Sequence, residues 1–164
     1  MKGNAKNFVG YTGIVTISQY TNGKKFIISK THNNGNTPLF EFFADCLLGE
    51  FAKARTNLPE KICLIKASEA GMATEGSGFI YLRSNPIKQP TANKECIVKY
   101  SFIVPREVLE AGTYEKIRLY RGSATTFDDY SAEVLANLNP SDWSDSSVLV
   151  IDWELIISNV GSAE

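Results

Sequence analysis

Residues 9–28 read VGYTGIVTISQYTNGKKFII, and that stretch decides the fold class. Val9, Tyr11, Val15 and Ile17 fall on one side of an extended segment with Gly13 between them. Thr12, Thr16 and Ser18 fall on the other, joined by Ile14. Alternation with a period of two is the mark of a half-buried strand. Thr21-Asn22-Gly23-Lys24 then predicts a tight hairpin turn, because Asn and Gly accept positive φ at little cost. Phe26 and Ile28 continue on a second strand, with Ile27 opposite. A hairpin with one apolar face is antiparallel and needs a second layer to cover it.

Working outward, the same period returns along most of the chain. Ile62–Ile65 is a short apolar strand and Phe79–Leu82 another. Cys96, Val98, Tyr100, Phe102 and Val104 alternate with Ile97, Lys99, Ser101 and Ile103 until Pro105 ends the run. Ile117, Leu119 and Arg121 share one face, and Tyr130, Ala132, Val134, Ala136 and Leu138 share another. Residues 127–137 also admit a helical reading, and their alternation favours a strand. The last strand runs from Val148 to Ser158 with Leu149, Ile151, Trp153, Leu155 and Ile157 turned inward. Asn85-Pro86 and Gln89-Pro90 mark turns or a bulged edge. Residues 67–78 form a small-residue loop.

One segment breaks the pattern. After the polar loop His32-Asn33-Asn34-Gly35-Asn36, Thr37 is placed to cap a helix and Pro38 to open it. Phe40, Phe43, Leu47 and Phe51 recur at helical spacing, with Leu39, Phe42 and Cys46 widening the stripe. This predicts an amphipathic helix over residues 38–53 whose aromatic face is buried on the sheet. The expected architecture is mainly β: an antiparallel β-sandwich, jelly-roll-like or immunoglobulin-like, with one inserted helix. Residues 9–164 make one domain, and residues 1–8 a flexible or partner-bound arm.

Composition sets bounds. The 164 residues hold 17 basic and 18 acidic side chains, a balance that requires no nucleic-acid partner. Residues 1–66 carry nine basic and four acidic groups, residues 67–164 eight and fourteen, an asymmetry that suits head-to-tail packing of copies. Lys24, Lys25 and Lys30 cluster at the first hairpin, with Lys2 and Lys6 on the arm, and Tyr20 stands beside them as a stacking ring. Five diffuse lysines are too few for direct nucleic-acid binding to be expected. No apolar run reaches the roughly 18 residues of a membrane span. The start has no apolar signal segment, so synthesis in a cytoplasm is expected. Cys46, Cys63 and Cys96 each sit in an apolar run and are expected as buried free thiols.

Reactive constellations are sparse. A nucleophile–base–orienter set needs a histidine or substitute, and His32, the sole histidine, lies in an Asn-rich loop. No Cys-x-x-Cys or His-x-x-x-His spacing supplies a soft-metal site. Asp128 and Asp129 are adjacent, in a turn or at a strand edge. Asp142 and Asp145 flank Trp143 in a Ser-rich loop, 139–147, where a weak cation site competes with a merely solvated loop. Asp152 and Glu154 alternate outward from the last strand. The glycine-rich stretch 71–78 lacks the Gly-Lys-Ser/Thr ending of a phosphate loop. No catalytic, cofactor-binding or metal residue is assigned, and the chain is expected not to be an enzyme.

The order of segments carries a resemblance. Gly10-Tyr11-Thr12-Gly13-Ile14-Val15-Thr16-Ile17 opens the chain. His32-Asn33-Asn34-Gly35, Leu39-Phe40-Glu41-Phe42-Phe43, Cys46-Leu47-Leu48-Gly49 and Pro59-Glu60-Lys61-Ile62-Cys63-Leu64 follow. Tyr100-Ser101-Phe102-Ile103-Val104-Pro105, Lys116-Ile117-Arg118-Leu119-Tyr120 and Val150-Ile151-Asp152-Trp153-Glu154-Leu155 close it. This order resembles a loose group of small β-sandwich structural proteins of tailed bacteriophage particles. The resemblance implies a virion component assembled in the bacterial cytoplasm, first a head auxiliary or decoration protein, next a tail or connector subunit. The implied partners are other virion proteins such as the major capsid protein, with possible self-association. The rival is a glycan- or peptide-binding sandwich module, whose exposed aromatics would be Trp143 and Tyr81.

Overall fold

The hairpin read from residues 9–28 is β1 (Phe8–Thr21) and β2 (Lys24–His32), paired antiparallel from Thr21 opposite Lys24 to Ile14 opposite His32. Asn22 and Gly23 close it with φ of 52° and 72°, the positive values a two-residue turn requires. The computed structural model describes the backbone of residues 8–66, 80–83, 87–89, 95–124, 126 and 128–160, and the side chains of residues 11–66, 97–124, 126 and 128–157.

After β2 come β3 (Asn34–Gly35), the helices α1 (Thr37–Leu48) and α2 (Phe51–Asn57), and β4 (Pro59–Lys66). The rest is β5 (Ile80–Arg83), β6 (Ile87–Gln89), β7 (Glu95–Pro105), β8 (Tyr114–Arg121), β9 (Tyr130–Leu138) and β10 (Val148–Val160). Among the described residues two five-stranded sheets result, in the orders β2-β1-β10-β7-β6 and β3-β9-β8-β4-β5. Every described pairing is antiparallel. The expected antiparallel sandwich is therefore the observed one, and residues 130–138 are a strand, as their alternation indicated.

Alternation explains the core. Val15, Ile17, Phe102, Ile151 and Trp153 point from the first sheet into the same cluster as Ile62, Leu64, Ile117, Leu119 and Val134 of the second. Trp153 is fully buried, in register with Val15 on one side and Tyr100 on the other. β8 is buried on both faces: Ile117 and Leu119 point into the core, while Arg118 and Tyr120 point outward. There Tyr120 joins Cys63, Ile65 and Ala124 in a second, smaller cluster. The Arg118 guanidinium lies 4.1 Å from the centroid of the Tyr130 ring, and its Nε donates to Glu133 at 2.7 Å.

Five expectations are corrected. Phe8, expected on the arm, instead pairs with Val160, and residues 1–7, including Lys2 and Lys6, lie outside the described residues. The single helix over 38–53 is two helices. Asn36, not Thr37, is the N-cap, and Gly49 ends α1 at φ 75° as its amide turns back to Cys46 O and that of Glu50 to Asp45 O. A glycine just past an apolar run is the ordinary stop signal of a helix, and here it acts as one. The helical stripe is not a core face. Leu39 is buried and Phe43 packs on the core, but Phe40, Leu47 and Phe51 are exposed. Cys46 is exposed as well, while Cys63 is a buried thiol whose Sγ lies 3.8 Å from Leu64 O. The side chain of Cys96 and the loop 67–78 lie outside what is described.

Candidate interaction surfaces

Two exposed apolar surfaces follow from how the chain is anchored. At the start of α1 the Asn36 amide donates to Ser131 O at 2.8 Å, and Leu39 enters the core. After α2 the Gly122 amide donates to Leu58 O at 3.1 Å, and Arg121 donates to Asn57 Oδ1 at 2.8 Å. Asn57 Nδ2 in turn donates to Asp45 Oδ2 at 2.9 Å, tying the two helices together. Both ends of the helical segment are thus pinned to the second sheet, and its middle stands away from the core. At that tip Leu47, Leu48 and Phe51 are 82%, 75% and 73% exposed. An open groove there is lined by Gly49, Glu50, Phe51, Ala52 and Lys53, and Lys53 is ion-paired with Glu50.

The second surface is β2, an edge strand of the first sheet. Phe26, Ile27 and Ile28 are exposed at 53%, 64% and 38%, so the expected alternation does not bury Phe26 and Ile28. A bulge between Ile17 and Ser18 shifts the pairing with β1 there, and among the described residues the strand has a neighbour on one side only. Lys24, Lys25 and Lys30 flank the apolar run, all exposed, with Lys25 Nζ 5.7 Å from the centroid of the Tyr20 ring.

A shallow cleft of about 340 Å³ is lined by Tyr11, Thr12, Gly13, His32, Asn33, Asn34 and Gly35. Asn33 organises it. Its amide N–H donates to Gly13 O at 3.1 Å and its Nδ2 donates to Tyr11 Oη at 2.8 Å. Its side chain lies so close over residue 13 that a Cβ there would fall 1.3 Å from Asn33 Oδ1. Burial pushes the Tyr11 phenol above its ordinary pKa against the opposing pull of Asn33.

The chemistry-bearing side chains singled out in the sequence are scattered by the fold. His32 is exposed at the end of β2. Asp129 is paired with Arg121 at 2.8 Å, Asp128 with Arg118 at 3.9 Å, and Asp152 with Lys99 at 3.3 Å. Asp142 accepts from Asn139 Nδ2 at 3.0 Å, and Asp145 is exposed. Among the described residues no three His, Cys, Asp or Glu side chains are grouped to hold a metal ion. Burial, then the Asp45 carboxylate, raises the pKa of the exposed Cys46 thiol, the reverse of nucleophilic activation. Trp143 is half-buried against the core, and the Tyr81 side chain lies outside the described residues. Among the described residues no helix is long and apolar enough to cross a membrane.

Sequence reasoning named the apolar helix stripe and the lysine cluster but not their exposure. It missed Asn33 as a buried residue, although a glycine inside a strand, here Gly13, is the known sign of a close approach. Comparison with protein-family models, curated proteins and solved structures returned no match.

Proposed function

We propose that this chain is a non-enzymatic structural subunit of a bacteriophage particle, foremost a head auxiliary or decoration protein, with a tail or connector subunit as the nearest alternative. The observation that carries the reading is the helical tip, where Leu47, Leu48 and Phe51 stand in water. Covering a Leu or Phe side chain is worth roughly 1.5–3 kcal/mol. A rigid sandwich that presents three such residues together has a surface built for a protein partner. The order of segments described above points to the same class. The partners in this reading are other virion proteins such as the major capsid protein, and the site of assembly is the host bacterial cytoplasm.

The rival reading, a glycan- or peptide-binding module, draws on the cleft where Tyr11, His32 and Asn33 converge. The experiment that separates them is quantitative mass spectrometry of purified particles from an infected host. The structural reading expects the chain in many copies per particle, in fixed ratio to the major capsid protein. A chain absent from particles and recovered only as free protein contradicts it.

A further inference from the structure

Asn-Gly occurs twice in the chain, at Asn22-Gly23 and at Asn34-Gly35. This dipeptide is chemically labile. The backbone nitrogen of the glycine, once it gives its proton to solvent, attacks the asparagine Cγ. A bond forms between that nitrogen and Cγ, the bond from Cγ to the side-chain nitrogen breaks, and ammonia departs to leave a five-membered succinimide. Water then opens the ring at either carbonyl, giving an isoaspartyl or an aspartyl residue. Glycine permits the attack because no side chain shields its nitrogen and its backbone turns freely. The reacting groups are the same at both sites, so the fold decides between them.

The fold treats them differently. Asn22 and Gly23 are both exposed at the tip of the β1–β2 hairpin, with φ of 52° and 72°. A Cβ on Gly23 would meet nothing within 4 Å. One rung, Thr21 opposite Lys24, closes the two-residue turn. Ring closure there requires only that this end of the hairpin open, a local event that leaves the core in place. Asn34 and Gly35 form β3, paired with Glu133 and Ala132 of β9. The flanking amides are held as well: that of Asn33 donates to Gly13 O at 3.1 Å and that of Asn36 to Ser131 O at 2.8 Å. A Cβ on Gly35 would lie 3.3 Å from Phe40, 3.4 Å from Leu39 and 3.4 Å from Tyr11, and Leu39 is fully buried. Asn34 cannot swing onto the Gly35 nitrogen without lifting β3 from its sheet.

We propose that Asn22 is a site of spontaneous deamidation in the folded protein and that pairing in β3 protects Asn34. The proposal goes beyond the assembly reading above and does not rest on it. Its consequence falls on β2. Either product places a carboxylate beside Lys24 and Lys25, both exposed. The isoaspartyl product also adds a carbon to the backbone of a two-residue turn, and turn length sets the register of a hairpin. The modification therefore changes both charge and pairing on the strand that exposes Phe26 and Ile27.

The test is peptide mapping by mass spectrometry of the full chain, held in mildly alkaline buffer either folded or unfolded in guanidinium chloride. The unfolded chain calibrates the chemistry, and there both dipeptides are expected to convert at similar rates. In the folded chain Asn22 is expected to convert and Asn34 to be at least tenfold slower, the ratio for about 1.4 kcal/mol of added opening free energy. The isoaspartyl form is expected among the Asn22 products, because direct hydrolysis of the side chain gives the aspartyl form alone. Folded protein in which Asn22 stays intact while the unfolded chain converts overturns the proposal. So does Asn34 keeping pace with Asn22 in the folded chain, or an Asn22 product free of isoaspartate.

Discussion

Leu39 and Leu47 belong to the same helix, α1, yet Leu39 is 0% exposed and Leu47 is 82% exposed. The helix enters the core with its first turn and leaves it with its last. This gradient separates residues that hold the fold from residues available to a partner. Leu39→Ala is expected to destabilise the chain by roughly 2–5 kcal/mol, the range for a buried leucine. Phe43→Ala, half-buried, is expected to cost about 1–3 kcal/mol. Leu47→Ala and Phe51→Ala are expected to stay within about 0.5 kcal/mol of the wild type. Denaturant unfolding of the four variants measures the series, and a large loss at Leu47 would place the tip in the folded core.

Gly13 is expected to be irreplaceable while Asn33 is present. An added Cβ would sit 2.4 Å from Asn33 Cγ and 2.6 Å from Tyr11 Oη as well as on Asn33 Oδ1. Gly13→Ala is therefore expected to cost about 1–3 kcal/mol through overpacking. In a Gly13→Ala, Asn33→Ala double variant the worst clash is gone, so the cost is expected to fall below the sum of the single changes. A thermal-melt cycle over the four proteins reads the coupling, and strict additivity would show that the two residues do not press on each other.

The Tyr100 phenol is fully buried and its hydroxyl has no hydrogen-bond partner among the described residues. Burial, with a smaller push from Glu60, raises its pKa well above the ordinary 10.0. A raised pKa on an acid that is neutral when protonated stabilises the fold fully below the unfolded value. That contribution is lost as pH rises from 10.0 toward the folded value. Alkaline unfolding is expected to begin above about pH 10 and to be reduced in Tyr100→Phe. At pH 7 the same substitution is expected to shift stability by less than about 1 kcal/mol, because it removes a buried polar atom that has no partner. Melting temperature against pH for both proteins checks the sign.

Trp153 is expected to resist collisional quenching. It is 0% exposed between the sheets, whereas Trp143 is only half-buried. In a Trp143→Phe background the remaining emission should be blue-shifted and nearly insensitive to iodide. Strong quenching in the folded monomer would contradict the described packing of β10.

Most of the sandwich was legible from alternation alone, because a strand between water and a core must write its two faces into the sequence. Asn22-Gly23 and the run through Trp153 are examples. The position of a strand within its sheet leaves no such local trace. Phe26, Ile27 and Ile28 have the composition of a central strand, yet β2 lies at an edge. Periodicity likewise showed that Phe40, Leu47 and Phe51 share a stripe, but not what lies against it. That depended on anchors far along the chain, Ser131 and Gly122. Gly49 was a local stop signal overshadowed by the apolar spacing from Leu47 to Phe51. The candidate surfaces were legible as residues and illegible as surfaces.

The central claim is that the exposed apolar residues of this chain work by being covered in an assembled particle. Hydroxyl-radical footprinting of purified particles against the free protein measures that coverage residue by residue. The account predicts strong protection of Leu47, Leu48, Phe51, Phe26 and Ile27 in the particle, with Ile103, exposed on β7 and separated from β2 by β1 and β10, labelled alike in the two states. Equal labelling of the tip and of the β2 edge in the particle and the free protein would contradict it.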